Sequence, residues 1–185
     1  SLYWKRDRAL ALWLADQRRP ALDALRSLLA DQPDDSWGID RLYEWTTTLE
    51  NPEAAERALR ALRTRVPWLR HAWEVSADHL TGEGLVSRKV AFWREASRAN
   101  PGRVWPLDAA IALCGAEESC PDTPRLLDEA RAAAQTGAAD DQDLLVCDEL
   151  WSLTQRARRG PVPAPEVERA LQRLEQLHAN GGDLG

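Results

Sequence analysis

Three nine-residue stretches decide the reading of this chain: Leu25-Arg-Ser-Leu-Leu-Ala-Asp-Gln-Pro33, Leu59-Arg-Ala-Leu-Arg-Thr-Arg-Val-Pro67 and Trp93-Arg-Glu-Ala-Ser-Arg-Ala-Asn-Pro101. Each opens on a large apolar residue, carries Leu28, Leu62 or Ala96 one helical turn later, and closes on proline. Proline lacks an amide proton and cannot continue a helix, so each stretch reads as the end of one. The prolines stand 34 residues apart, and other positions keep that period: Leu127 and Ala130 extend the two apolar rows, and Ala9, Tyr43, Ala77 and Ile111 recur on the segment before each stretch. A 34-residue period built from two helical segments is the signature of a solenoid, in which each unit buries its apolar face on the next.

The rest of the chain agrees. Apolar residues recur at spacings of three and four, as in Leu22, Leu25, Leu28 and Leu29, or Ala55, Leu59, Leu62 and Val66. No segment alternates with period two for long enough to make a strand. Breakers fall at Pro20, Pro33, Asn51-Pro52, Pro67, Gly82/Gly84, Asn100-Pro101-Gly102, Gly115, Pro121, Gly137 and Gly160-Pro161. They predict ten helices near residues 3–18, 20–31, 37–49, 52–65, 68–81, 86–99, 105–115, 123–136, 140–158 and 165–179. The fold class is all-α.

Composition limits the function. The chain has 185 residues, 44% apolar, with net charge −6, which excludes a disordered segment. The longest purely apolar run, Ala9–Ala15, is seven residues, too short to span a bilayer. Residues 102–185 hold 8 basic and 15 acidic side chains. That excess argues against a nucleic-acid backbone as partner and suits a basic partner or plain solubility. Position 1 is Ser, so the stretch reads as an excised piece, and any targeting segment would be gone. Arg outnumbers Lys 22 to 2, a bias that looks like a GC-rich bacterial genome. The compartment stays open between cytoplasm and periplasm or envelope.

These residues make the chain resemble the tetratricopeptide repeat (TPR) family. Its pattern asks for a large residue early in the first helix, where Ile39, Trp73 and Leu107 stand, and for small residues at the helix contacts, where Ala9, Ala77, Ala21 and Ala55 comply. Tyr43, Ile111, Lys89 and Thr123 depart from it, and Gln135 replaces the fourth closing proline. The Trp-rich stretch Ala91–Trp105 is similar to the half-a-TPR variant. The resemblance implies a right-handed α-solenoid of about five antiparallel helix pairs, four of them within residues 1–137. Residues 138–185 would be a divergent pair acting as a cap, with Glu168, Arg169, Gln172 and Glu175 facing solvent. It also implies that the first helix of each pair lines a concave groove. The facing positions are then Tyr3, Arg6 and Leu10; Trp37, Asp40 and Glu44; His71, Glu74 and Asp78; and Trp105, Asp108 and Ala112.

An acidic, aromatic-edged groove would select a protein or peptide segment with basic and apolar residues; an ordinary solvated helix face is the alternative. Trp37, Trp68 and Trp105 read either as packing at repeat junctions or as binding anchors. Cys114 and Cys120 flank a short connection and can bridge it, or stay reduced, while Cys147 sits in an apolar row. His71 and His79 with Glu74 and Asp78 lack a metal-ligand spacing, and the three histidines suggest no enzyme. Arg156, Arg158 and Arg159 suit a helix C-terminus. No phosphate loop or nucleophile elbow is present, so the sequence points to a non-catalytic interaction scaffold without a cofactor. A recognition or oligomerisation module of a larger transferase or envelope glycan-processing enzyme is the alternative. A second copy of the chain is a further candidate partner.

Overall fold

A computed structural model describes residues 2–116, 122–134, 153–154, 156–158 and 160–179. Among the described residues the regular structure is helical, with no strand. The chain divides into two compact units, Ser1–Thr81 and Gly82–Gly185. The first holds α1 (Leu2–Leu14), α2 (Arg18–Asp31), α3 (Ser36–Leu49), α4 (Pro52–Arg65) and α5 (Arg70–Asp78). The second holds α6 (Leu85–Ala99), α7 (Trp105–Ala116), α8 (Thr123–Ala134) and α9 (Ala164–Ala179). The division falls inside the third 34-residue period. The boundary expected at 137/138, and most of the helix expected over 140–158, lie outside the described residues.

The period is visible in the backbone itself. Gln32, Val66 and Asn100, the residues before the three prolines, have φ/ψ of −138/79°, −135/78° and −128/66°. Proline excludes the helical region for the residue before it, which accounts for the shared conformation. Each then accepts a hydrogen bond three residues on, from the amides of Asp35 (3.3 Å), Leu69 (3.3 Å) and Arg103 (3.1 Å). Burial follows the same register. Leu25, Leu59, Trp93 and Leu127 are buried, as are Leu28, Leu62, Ala96 and Ala130, and Ala9, Tyr43, Ala77 and Ile111.

Caps set the helix starts. The Asp35 carboxylate accepts from the Gly38 amide at 2.8 Å, and Asn51 accepts from Ala54 at 2.8 Å ahead of Pro52. Several ends depart from the sequence reading, among them α2, which starts at Arg18 rather than 20, and α5, which stops at Asp78 rather than near 81. α1 stops at Leu14 rather than near residue 18, because Asp16 takes φ 60°. The Gln17 amide then donates to Leu12 O (2.9 Å) and the Asp16 amide to Trp13 O (3.1 Å). This paired closure usually uses glycine; here Asp16 supplies the left-handed residue and its carboxylate accepts from Arg18 Nε at 2.7 Å. α5 starts at Arg70, leaving Trp68 in the turn and exposed.

In the first unit α1 packs on α2, α2 on α3, α3 on α4, and α5 on both α3 and α4. Its core joins Leu22, Leu25, Leu28 and Leu29 to Ile39, Leu42, Trp45, Leu59, Leu62 and Val75. Gly38 is the close approach between α2 and α3. A Cβ there would lie 2.9 Å from Leu29 Cδ2 and 3.3 Å from Leu29 Cγ. Gly38→Ala is therefore expected to destabilise by about 1–3 kcal/mol through overpacking. Bare helix propensity alone would instead stabilise by about 1 kcal/mol. Urea denaturation followed by circular dichroism gives the sign directly.

In the second unit α7 packs on α6 and α8. Trp93 and Trp105 meet edge to face with centroids 6.0 Å apart. Arg94 reaches Glu129 (3.4 Å) and Asp122 (3.5 Å). Cys114 is buried and disulfide-bonded. Cys120 and Cys147 lie outside the described residues.

Candidate functional site

The candidate face is carried by α1, α3 and α5, the leading helices of the first three periods. Asp40 and Glu44 project from α3 one turn apart, and α5 packs beside α3 with His71, Glu74 and Asp78 on the same register. The packing brings three of these together. His71 Nε2 lies 2.8 Å from Asp40 Oδ1 across the two helices, and His71 Nδ1 lies 3.6 Å from Glu74 Oε2. All three side chains remain between one third and one half exposed, at 37%, 41% and 38% for His71, Asp40 and Glu74. Asp78 is exposed, with no ion-pair partner among the described residues.

The stripe is not bare acid. Arg41 Nη1 lies 2.6 Å from Glu44, and Arg70 Nε donates to Glu74 at 2.7 Å. These arginines sit three and four residues from their carboxylates, the spacing at which helix neighbours pair. That signal was present in the sequence and the groove register passed over it. The pairs neutralise part of the face, yet being solvated they are each worth at most about 1 kcal/mol and exchange easily.

Other candidate residues are placed differently. On α1, Tyr3 and Leu10 are exposed. Arg6 Nε donates to Asp35 Oδ2 at 2.7 Å, and this hydrogen bond raises the Arg6 pKa. Trp37 is half-buried, edge-on to Trp45 at 6.0 Å, and Trp105 is buried against Trp93. Both thus pack inside their units. Asp108 is half-buried on α7, in the second unit. His79 Nδ1 donates to Val75 O (2.7 Å), and its ring lies tilted against the Tyr43 ring with centroids 3.8 Å apart; burial raises the Tyr43 pKa. In the C-terminal region, Arg156 Nη1 donates to Glu166 at 2.8 Å. Desolvation, then the nearby Arg173, lowers the Arg131 pKa.

Among the described residues no group of three His, Cys, Asp or Glu side chains could hold a metal ion, and no helix is long and apolar enough to cross a membrane. No protein-family model matches the chain, and comparison with curated proteins finds no match. The fold defines the class: among the described residues an all-helical protein whose helices pack on their neighbours within each unit.

Proposed function

We propose that the chain is a non-catalytic protein-interaction scaffold, a TPR-like solenoid of antiparallel helix pairs. Its leading-helix face would take a peptide or helix from a partner protein. The meeting of Asp40, His71 and Glu74 across α3 and α5 carries this reading. It gives two neighbouring helices one continuous polar surface, with Glu44 and Asp78 along it and the exposed Tyr3 and Leu10 on α1 as apolar positions. A segment bearing Arg or Lys displaces Arg41 and Arg70 from their carboxylates at small cost, and the surface loses little ordering entropy because its helices are already packed.

The test uses synthetic helical peptides with Arg and Leu at alternate turns, and Glu-for-Arg controls, titrated by fluorescence anisotropy. The intact chain should bind the basic peptides, more weakly as salt rises. Combining Asp40→Asn, Glu44→Gln, Glu74→Gln and Asp78→Asn should weaken binding about tenfold or more with helicity unchanged. Equal binding by this variant, or equal binding of the acidic peptides, would refute the reading.

A further inference from the structure

His71 sits between two carboxylates, and its ring nitrogens face them unequally. Nε2 lies 2.8 Å from Asp40 Oδ1, and Nδ1 lies 3.6 Å from Glu74 Oε2. An ionised carboxylate can only accept, so the short contact puts a proton on Nε2, which donates to Asp40. In the neutral ring Nδ1 then carries a lone pair, and it confronts an oxygen that also only accepts. The other pairs on this face are of fixed charge: Arg41 serves Glu44 and Arg70 serves Glu74, and arginine does not deprotonate in proteins. Asp40 has only His71 as an ion partner among the described residues, and histidine is the side chain that changes charge between about pH 5 and 8. The charged groups around His71 are thus Asp40 and the Arg41–Glu44 pair from α3, with Arg70, Glu74 and Asp78 from α5. The helix α4 also packs on α5, but its Arg63 and Glu56 meet another side of that helix, where Arg63 donates to Ser76 and to Glu56 and lies over Trp73.

We infer that the gap between His71 Nδ1 and Glu74 Oε2 is filled either by a proton or by an N–H of an arginine or lysine from a bound segment, so that proton and partner exclude one another. This rests on the scaffold reading above and adds the regulation of that same face. A neutral His71 offers Nδ1 and Oε2 together to one incoming donor. Taking up a proton at Nδ1 makes the ring a cation paired with both Asp40 and Glu74. The donor's place is then occupied, and the added charge repels a basic segment. Affinity for such a segment therefore falls as the pH falls. By linkage, the bound segment disfavours protonation of His71 by the same factor.

Fluorescence anisotropy of the helical Arg/Leu peptide with the intact chain, at about pH 8 and about pH 5.5 and constant salt, tests this. Carboxylates ordinarily titrate near pH 4, below both conditions, and the peptide's charge is the same at both. Kd should rise about threefold to tenfold on acidification, the effect of one added charge at a half-exposed site. The ratio of the two affinities is the quantity compared between variants. His71→Gln, which cannot take up a proton, and His71→Arg, a fixed cation, should each bring that ratio to about one, while His79→Gln should keep it. A nuclear magnetic resonance titration of the ring nitrogens, with His71 identified by its loss in His71→Gln, should place the neutral-state proton on Nε2. Saturating peptide should move its midpoint down by the logarithm of the same factor. Equal or tighter binding at the lower pH, a ratio that survives in both His71 variants, or a neutral ring protonated on Nδ1 would overturn the inference and leave the scaffold reading in place. No binding at either pH would overturn both.

Discussion

Trp45→Ala is expected to lower the stability of the first unit by about 3–5 kcal/mol. Trp45 is buried, its ring lies parallel to Trp13 with centroids 4.4 Å apart, and it meets the edge of Trp37 at 6.0 Å. Truncation leaves a cavity that helices α1, α2 and α3 cannot fill without moving, since Gly38 already holds α2 and α3 in close contact. It also removes two aromatic pairings, each worth about 0.5–1.5 kcal/mol beyond the area they bury. Trp68→Ala is the internal control. Trp68 is 59% exposed in a turn, so its loss should cost within about 0.5 kcal/mol. Urea denaturation followed by circular dichroism compares the two. A Trp45 cost no larger than that of Trp68 would show that the aromatic cluster contributes nothing particular.

Arg63→Ala is expected to cost about 3 kcal/mol. Arg63 is a charged side chain only 4% exposed. It projects from α4 toward α5, where Nη1 donates to the Ser76 hydroxyl and the guanidinium lies 4.8 Å from the centre of the Trp73 ring. Nη2 donates to Glu56 Oε1 at 2.8 Å. Removing it leaves Ser76, which is itself buried, without that donor and strips the Trp73 face of its cation. Glu56 keeps some contact with water, so Glu56→Gln should cost less, about 1 kcal/mol. If hydrogen bonding dominates, Arg63→Met combined with Ser76→Ala recovers part of the loss, because replacing both partners with apolar groups avoids the stranded hydroxyl. Additive costs in that double-mutant cycle would show that the bond to Ser76 contributes nothing, leaving the Trp73 and Glu56 contacts and the alkyl stem to carry the cost.

Much of the helical layout could be read from residues alone. The starts at Pro52, Trp105 and Thr123 match, and so does the burial of all the rows that keep the 34-residue period. α1 was overrun because its stop carries neither glycine nor proline: Asp16 in the left-handed region leaves no compositional mark. The site was read less well. The groove register names Asp40, His71 and Glu74, whose side chains meet, but not Arg41 and Arg70, which pair with Glu44 and Glu74. Trp105 was open between junction packing and a groove position, and its ring is buried on Trp93.

Apolar recurrence and proline placement are properties of a few consecutive residues, so the order of helices and the buried side of each follow from the sequence by itself. Side chains from separate helices meet only once the rotation and separation of those helices are set, and that takes tertiary packing. The His71–Asp40 bridge, the Trp13–Trp45 stack and the burial of Arg63 all belong to that second level.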